Sequence, residues 1–210
     1  GRFSLTVVPV IDAVRGELER LRHSVLIVEE VQQTGVAACD RVRVTRRPPW
    51  HLEFDSAQRL LCAQFGTRDL SGFGADGFDH GVAAAGALLQ YVTDTQKASL
   101  PHLQSITVER REEAVIMDGP TRRNLELEES LTGHDQHTLA GVMDRCQSPM
   151  GSRLLRRWIQ RPLRNTQVLQ GRYQAVDTMI TSGATDSLQA LLRGIGDVER
   201  ILSRVALRSA

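Results

Sequence analysis

Apolar and polar positions in the first half of the chain follow the patterns of alternating strands and helices. The continuous apolar run Val25–Val28 predicts a strand at the centre of a parallel sheet. Before it, Pro9–Leu21 repeats apolar residues at the helical period and predicts an amphipathic helix. Further strands are predicted at Phe3–Val8, Arg41–Thr45, Ile106–Val108 and Ala114–Met117, and further helices at Asp55–Gln64 and Gly81–Lys97. Strands that alternate with helices predict an α/β sandwich.

The second half of the chain carries only helical patterns from about Thr121 onward. The predicted helices are His137–Arg145, Ser148–Gln160, Thr166–Thr181, Asp186–Arg193 and Asp197–Arg208. Side chains that accept hydrogen bonds from unpaired helical N–H groups predict the N-caps Asp55, Ser148, Thr166 and Asp197. The change of pattern predicts an α/β domain over residues 1–114 and an all-α domain over residues 115–210.

Composition and charge indicate a globular protein but do not identify its partner. The 210 residues are 41% hydrophobic, which supports real cores, and the net charge of +1 does not by itself indicate a nucleic-acid partner. The three cysteines are far apart and form no C-x-x-C pair, so neither a zinc ribbon nor a disulfide framework is indicated. This cysteine usage is typical of a reducing cytosol.

The apolar segments and the two ends of the chain indicate whether it enters a membrane and whether it is part of a longer protein. Val82–Val92, the longest apolar-rich segment, is too short to span a bilayer, and no signal peptide is visible. No membrane association is therefore expected. The chain starts at Gly1 without a methionine and ends inside a predicted helix, so we expect that both ends are cut from a longer protein.

An arginine-rich amphipathic block spans Ser148–Leu163, with the sequence SPMGSRLLRRWIQRPL. Ser148 and Pro149 suit the N-cap and first turn of a helix, and Pro162 is expected to end it. The basic residues on the polar face and just after it are Arg153, Arg156, Arg157, Arg161 and Arg164. They favour either a basic surface that faces phosphate or an acidic partner, or a solvated helix face paired with acidic neighbours from elsewhere.

A second block, Thr121–Leu127, has the sequence TRRNLEL. Thr121 is a candidate N-cap, with Asn124 in the first turn of the helix that it would start. The planar guanidinium groups of Arg122 and Arg123 could bridge two domains through carboxylates or backbone carbonyls. The spacing of the two arginines does not decide between two roles, a clamp between domains and exposed surface charge.

These two blocks, in this order and at this separation, resemble the start of the core domain of the MutS family of DNA mismatch-repair ATPases. The resemblance extends over nearly the whole chain, through Phe65–Gly74 (FGTRDLSGFG), Ala84–Gln96, Leu100–His102 and Gly194–Leu207 (GIGDVERILSRVAL). Gly119-Pro120 departs from the family pattern, which usually has small, helix-compatible residues before TRRNLE.

The resemblance implies an RNase H-like connector domain that lacks its first strands, over residues 1–114, and then the beginning of a helical core or lever domain. In the family these parts carry conformational signals between the nucleotide site and the DNA clamp, and the connector docks the protein MutL. The intact protein is implied to be a cytoplasmic homodimer that encircles mismatched double-stranded DNA and slowly hydrolyses ATP with Mg²⁺.

Two family motifs are missing from this sequence. No phenylalanine has glutamate two places later, so the mismatch-reading Phe-x-Glu motif is missing. The only lysine, Lys97, follows Gln96, so no Gly-Lys-Ser/Thr phosphate loop is present. We therefore expect no catalytic, cofactor or metal site in this chain, and ATP binding only in the intact protein.

The candidate functional residues fall into three groups. A polar joint between the domains is predicted at Arg122, Arg123 and Asn124, a second set for interdomain pairing at Arg153, Arg156 and Arg157, and a MutL-docking face on the helix Asp55–Gln64 at Gln58 and Arg59. One alternative is an RNase H-like nuclease whose two metals are held by carboxylates among Asp12, Glu29, Glu30, Asp55 and Asp69. Another alternative is a helical scaffold without a repair role.

Overall fold

A computed structural model of the chain describes residues 3–8, 11–21, 25–30, 43–97 and 100–206. The described residues form a mixed α/β structure that is mostly helical, which confirms the coarse class predicted from the sequence. They divide into two compact units, one made of the chain up to Arg110 with the part from Ser203, the other of Arg111–Leu202. The domain boundary between residues 114 and 115 and the RNase H-like topology stay predictions.

The first unit contains two pairs of parallel strands and three helices among its described residues. Its elements are β1 (Ser4–Leu5), α1 (Ile11–Leu21), β2 (Val25–Glu29), β3 (Arg43–Arg47), α2 (Phe54–Phe65), α3 (Asp79–Gln96) and β4 (Thr107–Val108). Strand β1 pairs with β4, and β2 pairs with β3 over five residues each. The predicted strand Arg41–Thr45 is found from Arg43, since Arg41 lies outside the described residues, as does Pro9 of the first predicted helix.

The core of this unit lies where α2 and α3 pack on β1. Leu61 of α2 and Leu89 of α3 are almost completely buried, at 0% and 1% exposure. Small residues let the two helices approach closely, and Ala57 and Gly86 meet at this contact. Gln64 of α2 donates hydrogen bonds to the carbonyls of Leu100 and Leu103, at 2.8 and 3.0 Å. These bonds fix the chain that follows α3 to the same core.

Three glycines with positive φ angles shape the end of α2 and the loop between α2 and α3. Gly66 closes α2 in the left-handed region with a φ of 68°, and Gly74 and Gly77 take φ values of 71° and 75°. Such angles favour glycine because a Cβ would be strained there. The start of α2 differs from the prediction: its N-cap is Glu53, and Asp55 lies inside the first turn. Asp55 there suits the positive end of the helix dipole without capping it.

The second unit is helical. Its α-helices among the described residues are α4 (Gly119–Asn124), α5 (Leu139–Met143), α6 (Pro149–Gln160), α7 (Thr166–Thr181) and α8 (Thr185–Arg193), and α9 (Val198–Ala206) begins in this unit. The predicted N-cap Ser148 is confirmed, because its hydroxyl accepts a hydrogen bond from the Gly151 N–H at 3.2 Å. The predicted N-cap Thr166 is wrong: the Asn165 side chain accepts from two N–H groups and Thr166 is the first helical residue.

Two elements predicted for the second unit are shorter in the structure. The strand expected at Ala114–Met117 is wrong, since only Ala114 forms a β-bridge, antiparallel to Leu163. The helix expected at His137–Arg145 is reduced to α5. Thr138 takes an extended conformation there and caps α5 by accepting from the Gly141 N–H, so the helix cannot include the residues before it.

The last three helices expose many of their apolar side chains. The exposed apolar residues of α7 and α8 include Tyr173, Val176, Met179, Ile180, Leu188, Leu191 and Leu192. In α9, Leu202 and Val205 are 61% and 68% exposed. These helices therefore bury little apolar surface within the described residues. None of the described helices combines the length and the apolar character that crossing a membrane requires.

Candidate functional site

The segment TRRNLEL begins on helix α4, which Asp118 caps. The Asp118 carboxylate accepts a hydrogen bond from the Thr121 N–H at 2.8 Å, so the prediction that Thr121 caps the helix is wrong. Pro120 lies in the first turn, where a missing N–H costs nothing, and the helix starts before Thr121 for that reason. Hydrogen bonds from the Thr121 side chain and backbone hold the pKa of Asp118 below its ordinary value.

The three residues predicted to form a polar joint lie in the last turn of α4. Arg122 is half-buried, while Arg123 and Asn124 are exposed. The cationic side chains of Arg122 and Arg123 suit the negative end of the helix dipole. The structure thus presents adjacent guanidinium groups on a short capped helix. Their role between the domains stays a prediction.

Glu126 lies just after α4 and has an unusual backbone conformation. Its φ of 45° falls in the left-handed region, which costs a residue with a Cβ about 1 kcal/mol or more. Its carboxylate accepts from the Ser130 hydroxyl at 3.1 Å and from the Leu131 N–H. Its carbonyl accepts from the Leu139 N–H at 2.9 Å. The sequence did not single out Glu126, because backbone strain has no signature in residue type.

The same turn joins the TRRNLEL segment to helix α5. The Leu127 carbonyl accepts from the Ala140 N–H at 2.9 Å, next to the bond between Glu126 and Leu139. Leu127 and Ala140 are both buried, at 6% and 0% exposure. Backbone pairing and apolar contact therefore fix the end of the segment to the start of α5.

The first residues of the helical unit are bonded to the chain that follows α6. Around the bridge between Ala114 and Leu163, the Val115 N–H donates to the Pro162 carbonyl at 2.8 Å. The Arg164 N–H donates to the Glu113 carbonyl at 2.9 Å. An ion pair between the Arg161 guanidinium and the Glu113 carboxylate, at 3.4 Å, lies beside these bonds. The sequence predicts that Pro162 ends the helix, but it does not predict these contacts with residues 113–115.

Three of the arginines in α6 and just after it, Arg153, Arg156 and Arg161, pair with acidic residues of the helical unit. Arg156 pairs with Asp144 at 3.7 Å, in addition to the pair between Arg161 and Glu113. The Trp158 ring lies under the Arg172 guanidinium, 3.6 Å from its centroid. Arg157 is half-buried in the last turn of α6. The geometry agrees with the alternative of a helix face paired with neighbouring residues. The interdomain role of Arg153, Arg156 and Arg157 stays a prediction.

Arg153 makes the most extensive of these contacts. Its guanidinium binds both Asp197 oxygens, at 2.7 and 2.8 Å, and a Glu199 oxygen at 2.8 Å. The hydrogen bonds from Arg153 lower the pKa of Asp197 to about 2. Asp197 also accepts from the Arg200 N–H at 3.2 Å, which makes it a cap for α9, as predicted. No pattern in the sequence predicts the contact between Arg153 and Asp197, because the two residues are far apart in the chain.

The residues predicted to dock a partner lie on α2. Arg59 is exposed and its guanidinium donates to the Ser56 hydroxyl at 3.3 Å, while Gln58 is half-buried. The opposite side of the helix is held by Ala57 and Leu61, both buried against the core. Arg59 therefore projects from a rigid element, and docking at this face stays a prediction.

The carboxylates considered for a nuclease site do not form a described cluster. Glu29 ends β2, Asp55 lies in α2, and Asp69 accepts hydrogen bonds from the backbone and side chain of Ser71. The Asp12 side chain lies outside the described residues. Among the side chains that the structure describes, no group of three or more histidine, cysteine or acidic residues could hold a metal ion.

Two family models match this chain. The model of MutS domain II matches residues 1–104, and the model of MutS domain III matches residues 120–210. The matches follow one another in chain order, with the α/β unit under the first and the helical unit under the second, and together they leave out only residues 105–119. The chain therefore belongs to the MutS family of DNA mismatch-repair proteins, from which it carries domains II and III.

Proposed function

We propose that these two domains serve a mismatch-repair protein as a coupling and docking part that performs no chemistry of its own. In the intact protein, ATP and Mg²⁺ bind in another domain and mismatched double-stranded DNA is held by other parts of a homodimer in the cytoplasm. The residues described here transmit conformational change between those two sites, and domain II docks MutL.

The observation that best supports coupling is the attachment of residues 113–115 to the end of α6. Two backbone hydrogen bonds, from the Val115 N–H to Pro162 and from the Arg164 N–H to Glu113, form the Ala114–Leu163 bridge and hold two extended segments side by side. Both bonds must open before the segments can separate. A displacement of the chain at residues 111–113 is therefore transmitted to the end of α6 through these bonds, as it would not be through a flexible linker.

A second attachment supports the same role further along the chain. The backbone bonds of Glu126 and Leu127 to Leu139 and Ala140 fix the end of the arginine-bearing segment to α5. Arg122 and Arg123 stand on α4, one turn before this attachment. Contacts made by these guanidinium groups would thus be transmitted through α4 to α5 and onward.

The docking role rests on the exposed face of α2. Its buried side is fixed against α3, so that binding at Arg59 would not require the helix to become ordered first. Rigid, exposed elements lose little conformational entropy on binding, and this favours them as docking surfaces. We expect Gln58 and Arg59 to contribute to MutL binding.

The experiment that tests this function measures binding of the purified chain to MutL, to a fluorescent mismatched duplex and to ATP with Mg²⁺. We expect binding to MutL and none to the duplex or the nucleotide. Arg59→Glu should weaken MutL binding at least tenfold and leave the circular dichroism spectrum unchanged. Arg43→Glu is the matched control, because Arg43 is also exposed but lies on β3.

Each arm of this experiment has an outcome that counts against the proposal. Equal MutL affinity for the parent chain and for Arg59→Glu would exclude Arg59 and its face of α2 as the docking surface. Binding of the duplex or a nucleotide-dependent rise in melting temperature shows that the chain does more than couple and dock. The α6 arginines would then need testing for a direct role.

A further inference from the structure

The connection between α8 and α9 consists of Gly194–Asp197, and its two glycines are not required by the observed conformation. Gly194 has a φ of −77°, and a Cβ built on it would come no closer than 3.5 Å to the Leu191 carbonyl oxygen. A Cβ on Gly196 would meet only the Ile201 Cδ1, at 3.6 Å. Both are ordinary van der Waals distances. The two glycines therefore allow the connection to adopt backbone conformations other than the observed one.

Polar contacts fix this connection at both of its ends. At its start, the Arg193 Nε donates to the Gln147 Oε1 at 2.9 Å. At its end, Arg153 of α6 binds Asp197 through two hydrogen bonds and Glu199 through one. We call the contact among Arg153, Asp197 and Glu199 the latch. It joins residues more than 40 positions apart in the chain, since Arg153 and Asp197 are separated by 44.

Apolar burial does little to hold α9 in place within the described residues. Ile201 and Leu202 are 45% and 61% exposed, and Leu191 at the end of α8 is 70% exposed. The latch is partly accessible to solvent, since 42% of the Arg153 side chain and 16% of the Asp197 side chain are exposed. Salt screens a partly exposed ion pair and water competes for its groups, so the latch can open and close without unfolding of the helices.

We propose that Gly194–Asp197 is a hinge and that the latch fixes its closed position, so that α9 swings relative to α6 when the latch opens. A hinge concentrates a large change of backbone angles in a few residues, which are often small. Here two glycines supply that freedom, and a specific charged contact selects one position. The inference concerns α6, α8, α9 and the connection between the last two, and it holds or fails independently of MutL docking.

Hydrogen exchange of the whole chain, followed by mass spectrometry, tests the hinge. The N–H groups of Gly194, Ile195 and Val198 donate backbone hydrogen bonds within or next to the connection. We expect Arg153→Ala to speed amide exchange at these three residues about three- to tenfold, while exchange in α2, α3, α6 and the later turns of α9 stays unchanged. Asp197→Asn should act in the same direction, and it keeps an oxygen that can cap α9. Arg156→Ala is the matched control, since Arg156 is on the same helix but pairs with Asp144.

The glycines provide a second, independent test. Replacing Gly194 and Gly196 together by alanine in the Arg153→Ala chain should return amide exchange at Ile195 and Val198 towards the parent rate, because the open positions become less accessible. Faster exchange after this replacement would mean that the closed conformation needs glycine, and it would overturn the hinge. So would an unchanged rate in Arg153→Ala, or an equal increase throughout the helical unit, which would indicate an ordinary stabilising ion pair.

Discussion

Gly86 of α3 lies so close to Ala57 of α2 that a methyl group on Gly86 would approach the Ala57 Cβ to 2.3 Å. Contacts between carbon atoms this short do not occur, and the Ala57 Cα would lie only 2.6 Å away. The helices α2 and α3 of the first unit are therefore in very close backbone contact at this point.

Gly86→Ala should destabilise the chain, because the helices must separate to make room for the methyl group. Overpacking of this kind costs about 1–3 kcal/mol, more than the gain of about 1 kcal/mol that alanine brings to a helix interior. The free energy of unfolding, measured in urea, should fall accordingly. Gly171→Ala in α7 is the matched control, since a Cβ there would have no atom within 4 Å, and this variant should be slightly stabilised.

Glu126 combines a strained backbone with a carboxylate that accepts two hydrogen bonds. Glu126→Ala keeps the strain and loses the bonds, so we expect a loss of about 1–2 kcal/mol in the free energy of unfolding. Glu126→Gly loses the same bonds but relieves the left-handed strain, which restores about 1 kcal/mol relative to alanine. Urea unfolding of both variants measures the difference. A glycine variant no more stable than the alanine variant would contradict strain at this position.

Some local features of the chain can be predicted from its sequence, whereas contacts between distant residues cannot. The pattern of a serine followed by proline predicts the cap at Ser148, and the structure confirms it. The predicted cap at Thr166 is wrong, since the side chain of the preceding Asn165 can also cap and the sequence does not define the first helical residue. The bridge between Ala114 and Leu163 joins positions that no periodic pattern relates.

The candidate site shows the same limit. The spacing of the arginines in α6 predicts a basic helix face but not its partners, because residue type alone does not show whether an aspartate such as Asp197 is paired or solvated. The positive φ of Glu126 arises from the pairing of the following residues with α5, and this pairing is a property of the tertiary structure.

The latch should respond to acid in a narrow range of pH. Hydrogen bonds from Arg153, and then from the Arg200 N–H, lower the pKa of Asp197 to about 2, below the value of about 3.9 for an unfolded aspartate. A lowered pKa means that Asp197 stabilises the folded chain above about pH 4, and that this stabilisation is lost as the pH falls towards 2. In Arg153→Ala the pKa should return towards its ordinary value. NMR titration of the Asp197 carboxyl in both chains measures this directly.

Arg123 is the residue whose substitution best separates coupling from folding. It is exposed on α4, so Arg123→Ala should leave the urea unfolding of each domain within about 0.5 kcal/mol of the parent chain. If its guanidinium helps to join the domains, the same substitution should broaden the distribution of distances between spin labels at Thr95 and Gln170, which are exposed positions in different units. Arg145→Ala removes another exposed arginine of the helical unit and should leave that distribution unchanged. Identical distributions for the parent chain and Arg123→Ala would exclude this side chain from the joint and leave Arg122, which is half-buried, as the residue to test next.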